Sequence, residues 1–191
     1  RRLADQLNTT VDAIVLGRRA SYTLQWMFER PAEELAQAMI RDSCCEVPLW
    51  ICPESDRGRR NVLLCIDGSD NGYRAVDHVG FILAGEKQHA ITLLHVKNNT
   101  IRDSEEIFIR AENILQSQGI SDERMRRLST WGLSVAGAIQ GEAEQGGYAA
   151  VALGMHGSGD KKGLLKDYIL AGGTTAKLIG KLEKTALWCC P

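Results

Sequence analysis

Three short segments of the sequence carry the residue types that bind a phosphorylated small molecule. "DGS" (Asp67–Ser69) and "GMHGSG" (Gly154–Gly159) each follow an apolar run, and "GGTT" (Gly172–Thr175) opens a helical pattern. Glycine lets a backbone approach a ligand closely. Free N–H groups in a loop or at a helix N-terminus attract anions. Because the hydroxyls of Thr174 and Thr175 can add hydrogen bonds, these segments together predict a phosphate site.

Other polar side chains near these segments each have two interpretations. Asp67 can accept a hydrogen bond from a ribose hydroxyl, or it can cap the helix that follows it. His156 lies beside the glycines but has no nucleophile nearby, so it is not expected to be catalytic. His95 lies within the apolar run "LLHV" and is expected to be structural. Three lysines in the glycine-rich loop can meet phosphate oxygens or simply be solvated: Lys161, Lys162 and Lys166.

Several common catalytic motifs are absent from the sequence. It contains no GxxxxGK[ST] of a P-loop enzyme and no GxSxG of a hydrolase. The stretch "GSGDKKG" has the wrong spacing for a dinucleotide fingerprint. An HxGH-type histidine pair, which a nucleotidyltransferase of similar fold would need, is also missing. We therefore predict no catalytic residue and at most slow hydrolysis of a bound nucleotide.

Composition and charge exclude other classes of partner. The 191 residues carry a net charge of −1, which gives no electrostatic argument for nucleic acid or an acidic membrane. No apolar run approaches the ~18 residues that span a bilayer. The first ten residues are polar and lack an apolar signal core. The six cysteines show no metal-binding spacing, so we expect buried free thiols in a reducing cytoplasm, with a disulfide or redox role as the alternative.

The elements that must position the phosphate site alternate along the chain. Short apolar runs are followed by segments with helical periodicity, which predicts a parallel sheet with helices on both faces. This is a flavodoxin-like α/β fold. The predicted strands of the complete domain are Asn61–Asp67, Ala90–Val96, residues 125–130, Ala149–Gly154 and residues 186–190. The last helix is expected from about Thr174 to Glu183.

In such a sheet, ligands bind beyond the carboxyl ends of the strands where the winding direction reverses. If the first strand of the domain is central, the reversal lies between it and the fourth strand. Asp67–Ser69 and Gly154 then meet at one edge. For a nucleotide as the ligand, its base is expected near Val96 and its phosphates near Gly157 and Thr174.

One rare pentapeptide pattern occurs twice, as "LWICP" (Leu49–Pro53) and "LWCCP" (Leu187–Pro191). The strand and helix patterns before each copy also correspond. Residues 1–53 are therefore interpreted as the C-terminal half of a first repeat, 54–60 as a linker and 61–191 as a complete domain. We expect Leu49–Cys52 and Leu187–Cys190 to be apolar edge strands that pair antiparallel, with Trp50 and Trp188 covering the seam.

The sequence resembles the universal stress protein family. The segments that carry the resemblance are "LLCIDGSDNGYRAV", "LLHV", "ALGMHG" and "GGTTAKLIG". Nucleotide-binding members carry Gly-x2-Gly-x9-Gly-[Ser/Thr]. Here Gly154, Gly157 and Gly173–Thr174 match, but fifteen residues separate Gly157 from Gly173. In residues 1–53, Ala20, Arg30 and Pro31 replace the matching residues. The chain is thus similar to a tandem-type member with a truncated first repeat.

The resemblance implies that the second repeat binds an adenine nucleotide, ATP, with or without Mg, and that the protein is a cytoplasmic regulator or sensor in a stress response. The implied binding residues are Asp67, Gly68, Ser69, Val96, Gly154, His156, Gly157, Gly173, Thr174 and Thr175. It also implies self-association through the final strands. The alternative is a scaffold that binds no nucleotide and acts through dimer or pseudo-dimer interfaces. The long insert, about Ser158 to Ala171, is expected to be mobile without ligand.

Overall fold

Strands and helices alternate along the chain as the periodicity predicts. The computed structural model describes residues 12–18, 31–41, 47–54, 56–97, 104–155 and 173–191. The described strands are β1 (Ile14–Gly17), β2 (Leu49–Cys52), β3 (Val62–Cys65), β4 (Ile91–Lys97), β5 (Met125–Trp131), β6 (Ala150–Gly154) and β7 (Ala186–Cys190). The described α-helices are α1 (Pro31–Arg41), α2 (Asp70–Leu83), α3 (Ser104–Ser117), α4 (Val135–Gly146) and α5 (Thr174–Ile179).

The strands form one seven-stranded sheet in the order β1-β2-β7-β6-β3-β4-β5. All neighbours are parallel except β2 and β7, which are antiparallel. The predicted flavodoxin-like α/β architecture is confirmed in β3 to β7. The last helix is shorter than expected, because α5 ends at Ile179 and Gly180 forms its C-cap. The third predicted strand runs one residue further, to Trp131.

Local signals explain why the elements begin and end where they do. The Ser69 hydroxyl accepts a hydrogen bond from the Gly72 N–H and so caps α2. Gly147 ends α4 with φ of 59°, a left-handed conformation that glycine adopts without strain. Strands β3 and β4 are almost entirely buried because helices cover both of their faces.

Apolar side chains fill a layer on each face of the sheet. One layer packs α1, α4 and α5 against the sheet, and it contains Ile40, Ile139 and Leu178. The other packs α2 and α3 against the opposite face, through residues such as Val79 and Ile107. The segment that holds α1 therefore shares a core with the complete domain.

The two pentapeptides meet at the antiparallel seam between β2 and β7. Leu49 lies opposite Cys189, Trp50 opposite Trp188 and Ile51 opposite Leu187. The two indole rings stack with centroids 4.3 Å apart and planes 11° from parallel. The predicted antiparallel pairing is confirmed within one chain. Each strand is the outermost strand of its own unit, next to β1 or β6, and the pairing places both strands inside the combined sheet.

Two arginines that precede β3 donate hydrogen bonds to the complete domain. Arg59, in the predicted linker, donates from Nη1 to the Thr185 hydroxyl at 2.9 Å and to the Tyr148 carbonyl oxygen at 3.3 Å. Arg18 donates from Nη1 to the Leu182 carbonyl oxygen at 2.6 Å. The assignment of residues 1–53, 54–60 and 61–191 to separate units stays a prediction.

Some predictions fall outside the described residues. They concern Cys44, Cys45 and the loop that follows β6, including His156, Gly157, the three loop lysines and the insert from Ser158 to Ala171. Within the described ranges, no helix is long and apolar enough to cross a bilayer.

Candidate functional site

The predicted site lies at the carboxyl edge of the sheet, at its topological switch point. β3 pairs in parallel with β4 on one side and with β6 on the other. The carboxyl ends of the three strands therefore share one edge. This brings Asp67–Ser69, Val96 and Gly154 to that edge, as the sequence predicts. The chain leaves β3 toward β4 and β5 and returns to the opposite side for β6, and such a reversal is where open α/β sheets bind ligands.

The turn after β3 is held by its own side chains. Asp67 Oδ1 accepts hydrogen bonds from the Ser69 N–H at 3.0 Å and from the Ser69 hydroxyl at 2.6 Å. Ser69 Oγ in turn accepts from the Gly72 N–H at 3.0 Å. Gly68 between them has φ of 75°. Ser69 is thus the cap of α2, and Asp67 holds Ser69 in place rather than capping the helix itself. The role of Asp67 toward a ribose stays a prediction.

Two glycines let the end of β6 approach the first turn of α2. A Cβ on Gly154 would lie 2.7 Å from the carbonyl carbon of Asn71 and 2.8 Å from the backbone nitrogen of Gly72. A Cβ on Gly72 would lie 2.8 Å from Asp67 Oδ1. At Gly154 these backbone contacts leave no room for a side chain, whereas at Gly72 a side chain would displace the Asp67 carboxylate. Sequence reasoning missed Gly72, although its place three residues after a capping serine is visible in "SDNG".

The start of α5 is tied to the end of β6. The Thr175 hydroxyl is 3.3 Å from the Met155 carbonyl oxygen and 3.4 Å from that of Gly154, and it donates to them. The Met155 N–H donates to the Cys190 carbonyl oxygen at 2.6 Å. Gly173 is the N-cap of α5, without a side-chain cap, and a Cβ there would meet nothing within 4 Å. Thr175 therefore positions the helix, and among the described residues none lies within 4 Å of a Cβ built at Gly173.

The His95 side chain contacts the backbone just after β3. Its ring is buried, and Nδ1 lies 2.8 Å from the Ile66 carbonyl oxygen. Since a carbonyl oxygen only accepts, Nδ1 carries the proton and donates. The ring also meets Phe108 edge to face, with centroids 6.3 Å apart. The structural interpretation of His95 is confirmed, and its contact fixes the residue just before Asp67. Neighbouring Val96 is buried at the end of β4.

Burial raises the pKa of the Cys65 thiol at the end of β3, so this thiol stays protonated and is a poor nucleophile. In the ranges that the structure describes, no group of three or more histidine, cysteine, aspartate or glutamate side chains is placed to hold a metal ion. The roles predicted for His156 and Gly157 lie beyond these ranges.

The fold and the sheet order together define a flavodoxin-like α/β protein whose topological switch point lies between β3 and β6. The sequence profile of the universal stress protein family matches residues 58–187. The chain belongs to the universal stress protein family. A comparison with curated protein sequences finds no significant match.

Solved structures of this family share the fold. One, described as a universal stress protein in complex with cAMP, has a TM-score of 0.55 at 17% identity, over 69% of this chain and 96% of that chain. Another, assigned to the universal stress proteins of Pseudomonas aeruginosa, has a TM-score of 0.56 at 17% identity, over 98% of this chain and 66% of that chain. At this identity the likeness concerns the fold alone.

Proposed function

We propose that the protein binds an adenine nucleotide, ATP, at the carboxyl edge of β3, β4 and β6 and acts as a cytoplasmic regulator or sensor in a stress response. The observation that carries the proposal is the topological switch point between β3 and β6. There the turn Asp67–Ser69, the closely approaching Gly154 and the uncapped Gly173 come to one edge. Family membership supports it, as does the relative that is described in complex with cAMP.

The described residues fit such a ligand in two respects. Gly173, the N-cap of α5, carries no side chain, and no described residue lies within 4 Å of a Cβ built there, so a phosphate can approach this backbone. Asp67 has a carboxylate at the edge, which suits a ribose hydroxyl. In this proposal Gly68, Ser69 and Val96 border the ribose and base. Gly157, His156 and Thr174 bind the phosphates together with Mg. Thr175 holds the start of α5 in place.

We further propose that residues 1–53 correspond to the C-terminal half of a first repeat. Two observations support this. The β1-α1-β2 unit repeats the strand-helix-strand order of β6-α5-β7. The corresponding strands of the two units, β2 and β7, pair antiparallel with Trp50 opposite Trp188, which is the arrangement that a local twofold axis produces. Self-association of separate chains through these strands stays a prediction.

Nucleotide binding is tested by two measurements on the whole chain. The first is mass spectrometry of the small molecules released from the purified protein, which should find an adenine nucleotide. The second is calorimetric titration with ATP and, separately, with cAMP. Gly157→Val should weaken ATP binding at least about tenfold, since a side chain would occupy space that the phosphates need. Gly85→Val is the matched control, because a Cβ at Gly85 meets nothing within 4 Å and lies at the far end of α2.

Equal ATP affinity in Gly157→Val and the parent would refute this placement of the phosphates. Binding of cAMP without ATP would show a nucleotide site of different specificity. A protein that releases no nucleotide and binds neither ligand would support the second candidate function, a scaffold. One observation favours the scaffold: the hydroxyls of Ser69 and Thr175 already have hydrogen-bond partners inside the protein.

A further inference from the structure

A single side-chain hydrogen bond joins the tryptophan pair of the seam to helix α2. Trp50 Nε1 lies 3.1 Å from His78 Nε2, and the two rings meet edge to face with centroids 5.6 Å apart. The other face of the Trp50 indole stacks on Trp188. Trp50 belongs to β2, in the proposed half repeat, whereas His78 and Trp188 belong to the complete domain. The contact therefore crosses the boundary between the two units.

The chemistry of the two rings determines the protonation state of His78. An indole N–H only donates, so His78 Nε2 must be the acceptor and carry no proton. The ring is then neutral, with its proton on Nδ1. An imidazolium has two N–H donors and no acceptor. Protonation would place the N–H of Nε2 against the N–H of Trp50, and the hydrogen bond would be replaced by a repulsive contact.

The charged groups around His78 act in opposite directions. Burial lowers the pKa of the ring, whereas the carboxylates of Asp77, on the same helix, and Asp12, before β1, raise it. Burial has the larger effect, and the pKa of His78 lies below its ordinary value of 6.5. Gln118, the residue after α3, donates from its side-chain amide to Asp77 Oδ1 at 2.6 Å.

The ionisable side chains of β2, β3, β6 and β7 are thiols that stay neutral at the same pH, and of these Cys190 lies in the layer beneath α2. They are Cys52, Cys65, Cys189 and Cys190, and burial raises the pKa of each. In the described part of the chain, His78 is therefore the group at this seam whose charge changes in mildly acidic solution.

We propose that the Trp50–His78 contact is a pH-sensitive latch, in which protonation of His78 Nε2 releases β2 from its seam with the complete domain. Above pH 6.5 the ring is neutral in both the folded and the unfolded chain, and the contact contributes fully. As the pH falls below 6.5 the unfolded ring takes up a proton more readily than the folded one, so the contribution is lost. Opening would uncover the apolar edge of β7, including the buried Leu187 and Cys189.

Hydrogen exchange measured by mass spectrometry tests the latch on the full chain. The readout is the exchange rate of residues 47–54 divided by that of residues 91–97 in the same sample, because this ratio cancels the intrinsic effect of pH. Between about pH 8 and about pH 5.5 the ratio should rise about tenfold, the change expected when one buried hydrogen bond is lost. The measurement does not depend on nucleotide binding, so its failure is distinguishable from failure of the proposed function.

Three variants assign the effect to this contact. His78→Gln keeps an acceptor for the indole at every pH and should abolish the rise. Trp50→Phe keeps a ring on Trp188 but lacks the N–H, so it should show a raised ratio already at about pH 8 and little further change. His89→Gln is the control, because His89 lies before β4 and contacts the Arg60 carbonyl oxygen, away from the seam.

A constant ratio in the parent protein would overturn the latch. An acid response that persists in His78→Gln or Trp50→Phe, or one that disappears in His89→Gln, would assign the titration to another group and overturn it equally. If His78→Gln fails to fold, Trp50→Phe alone decides between these results.

Discussion

At the scale of single residues, the geometry of the candidate site depends on how closely two backbone segments approach. The end of β6 and the first turn of α2 are so close that a Cβ on Gly154 would lie within 3 Å of three backbone atoms of Asn71 and Gly72. Backbone atoms in a capped helix turn cannot move aside as a flexible side chain can. Gly154 thus sets the position of the α2 N-terminus, and with it the turn that holds Asp67.

Gly154→Ala tests this role. The added methyl should displace the first turn of α2 and lower the free energy of unfolding by about 1–3 kcal/mol, the usual cost of overpacking. Urea denaturation measures the change. Gly141→Ala is the matched control, because its Cβ would meet nothing within 4 Å in the middle of α4. That variant should gain about 0.5–1 kcal/mol from the lower entropy of its unfolded chain. Equal stability of Gly154→Ala and the parent would contradict the packing argument.

At the scale of elements, β2 is the strand that joins β1 to the sheet of the complete domain. It pairs with β1 on one side and β7 on the other, and its central residue, Ile51, is buried between Leu16 and Leu187. An interior strand uses its backbone groups on both edges, so it does not tolerate proline.

Ile51→Pro should detach β2 while the rest of the sheet survives. Hydrogen exchange of residues 12–18 and 47–54 is expected to increase by at least about tenfold, whereas residues 62–65 and 91–97 keep their protection. Ile51→Val is the control, and its cost should be only about 0.5–1.5 kcal/mol. Unchanged exchange at residues 47–54 in the proline variant would show that the strand is not integral to the sheet.

Arg124 closes the connection between α2 and β4. Its guanidinium donates to the carbonyl oxygens of Leu83, Glu86 and His89 at 2.9 to 3.1 Å. Arg124→Ala should cost about 1–3 kcal/mol, because part-buried carbonyl oxygens lose their donor. The exposed neighbour Arg126 offers the control, and Arg126→Ala should change stability by less than about 0.5 kcal/mol. Thermal unfolding measures the stability of both variants. A similar small effect in each would refute this stabilising role of Arg124.

At the scale of the whole molecule, one sheet with a helical layer on each face buries most of the described cysteines. Cys65, Cys189 and Cys190 lie in the two cores, and Cys52 is half-buried at the end of β2. Burial raises the pKa of all four thiols, that of Cys190 to about 12. In the folded molecule the three core thiols are therefore protonated and shielded from reagents, whereas Cys52 is partly accessible.

Alkylation of the native protein should follow the exposure of the thiols. Among the four described thiols, Cys52 should react first with iodoacetamide at about pH 8, and the three core thiols only after unfolding. Peptide mass spectrometry reads each site separately. Above the ordinary thiol pKa of 9.0 the unfolded chain loses these protons while the folded chain keeps them, so the free energy of unfolding should fall as pH rises. Rapid labelling of Cys65 in the folded protein would contradict the burial.

The sequence by itself determined the order of the elements and the position of the switch point. Apolar runs and helical periodicity are local signals, and they predict β3 to β7 and the helices between them. Alternation of strands and helices then leaves few possible topologies, so the switch point beside Asp67 follows. The repeated pentapeptide added the antiparallel pairing of β2 with β7.

Only the tertiary structure decided which side chains meet across the elements. It directs the Asp67 carboxylate to Ser69, brings the Thr175 hydroxyl to the carbonyl oxygens at the end of β6, and places His78 on Trp50. Each of the last two contacts joins residues at least 20 positions apart. The physical reason is that such contacts depend on the angle and distance at which whole elements pack, and no local pattern of residues encodes these quantities.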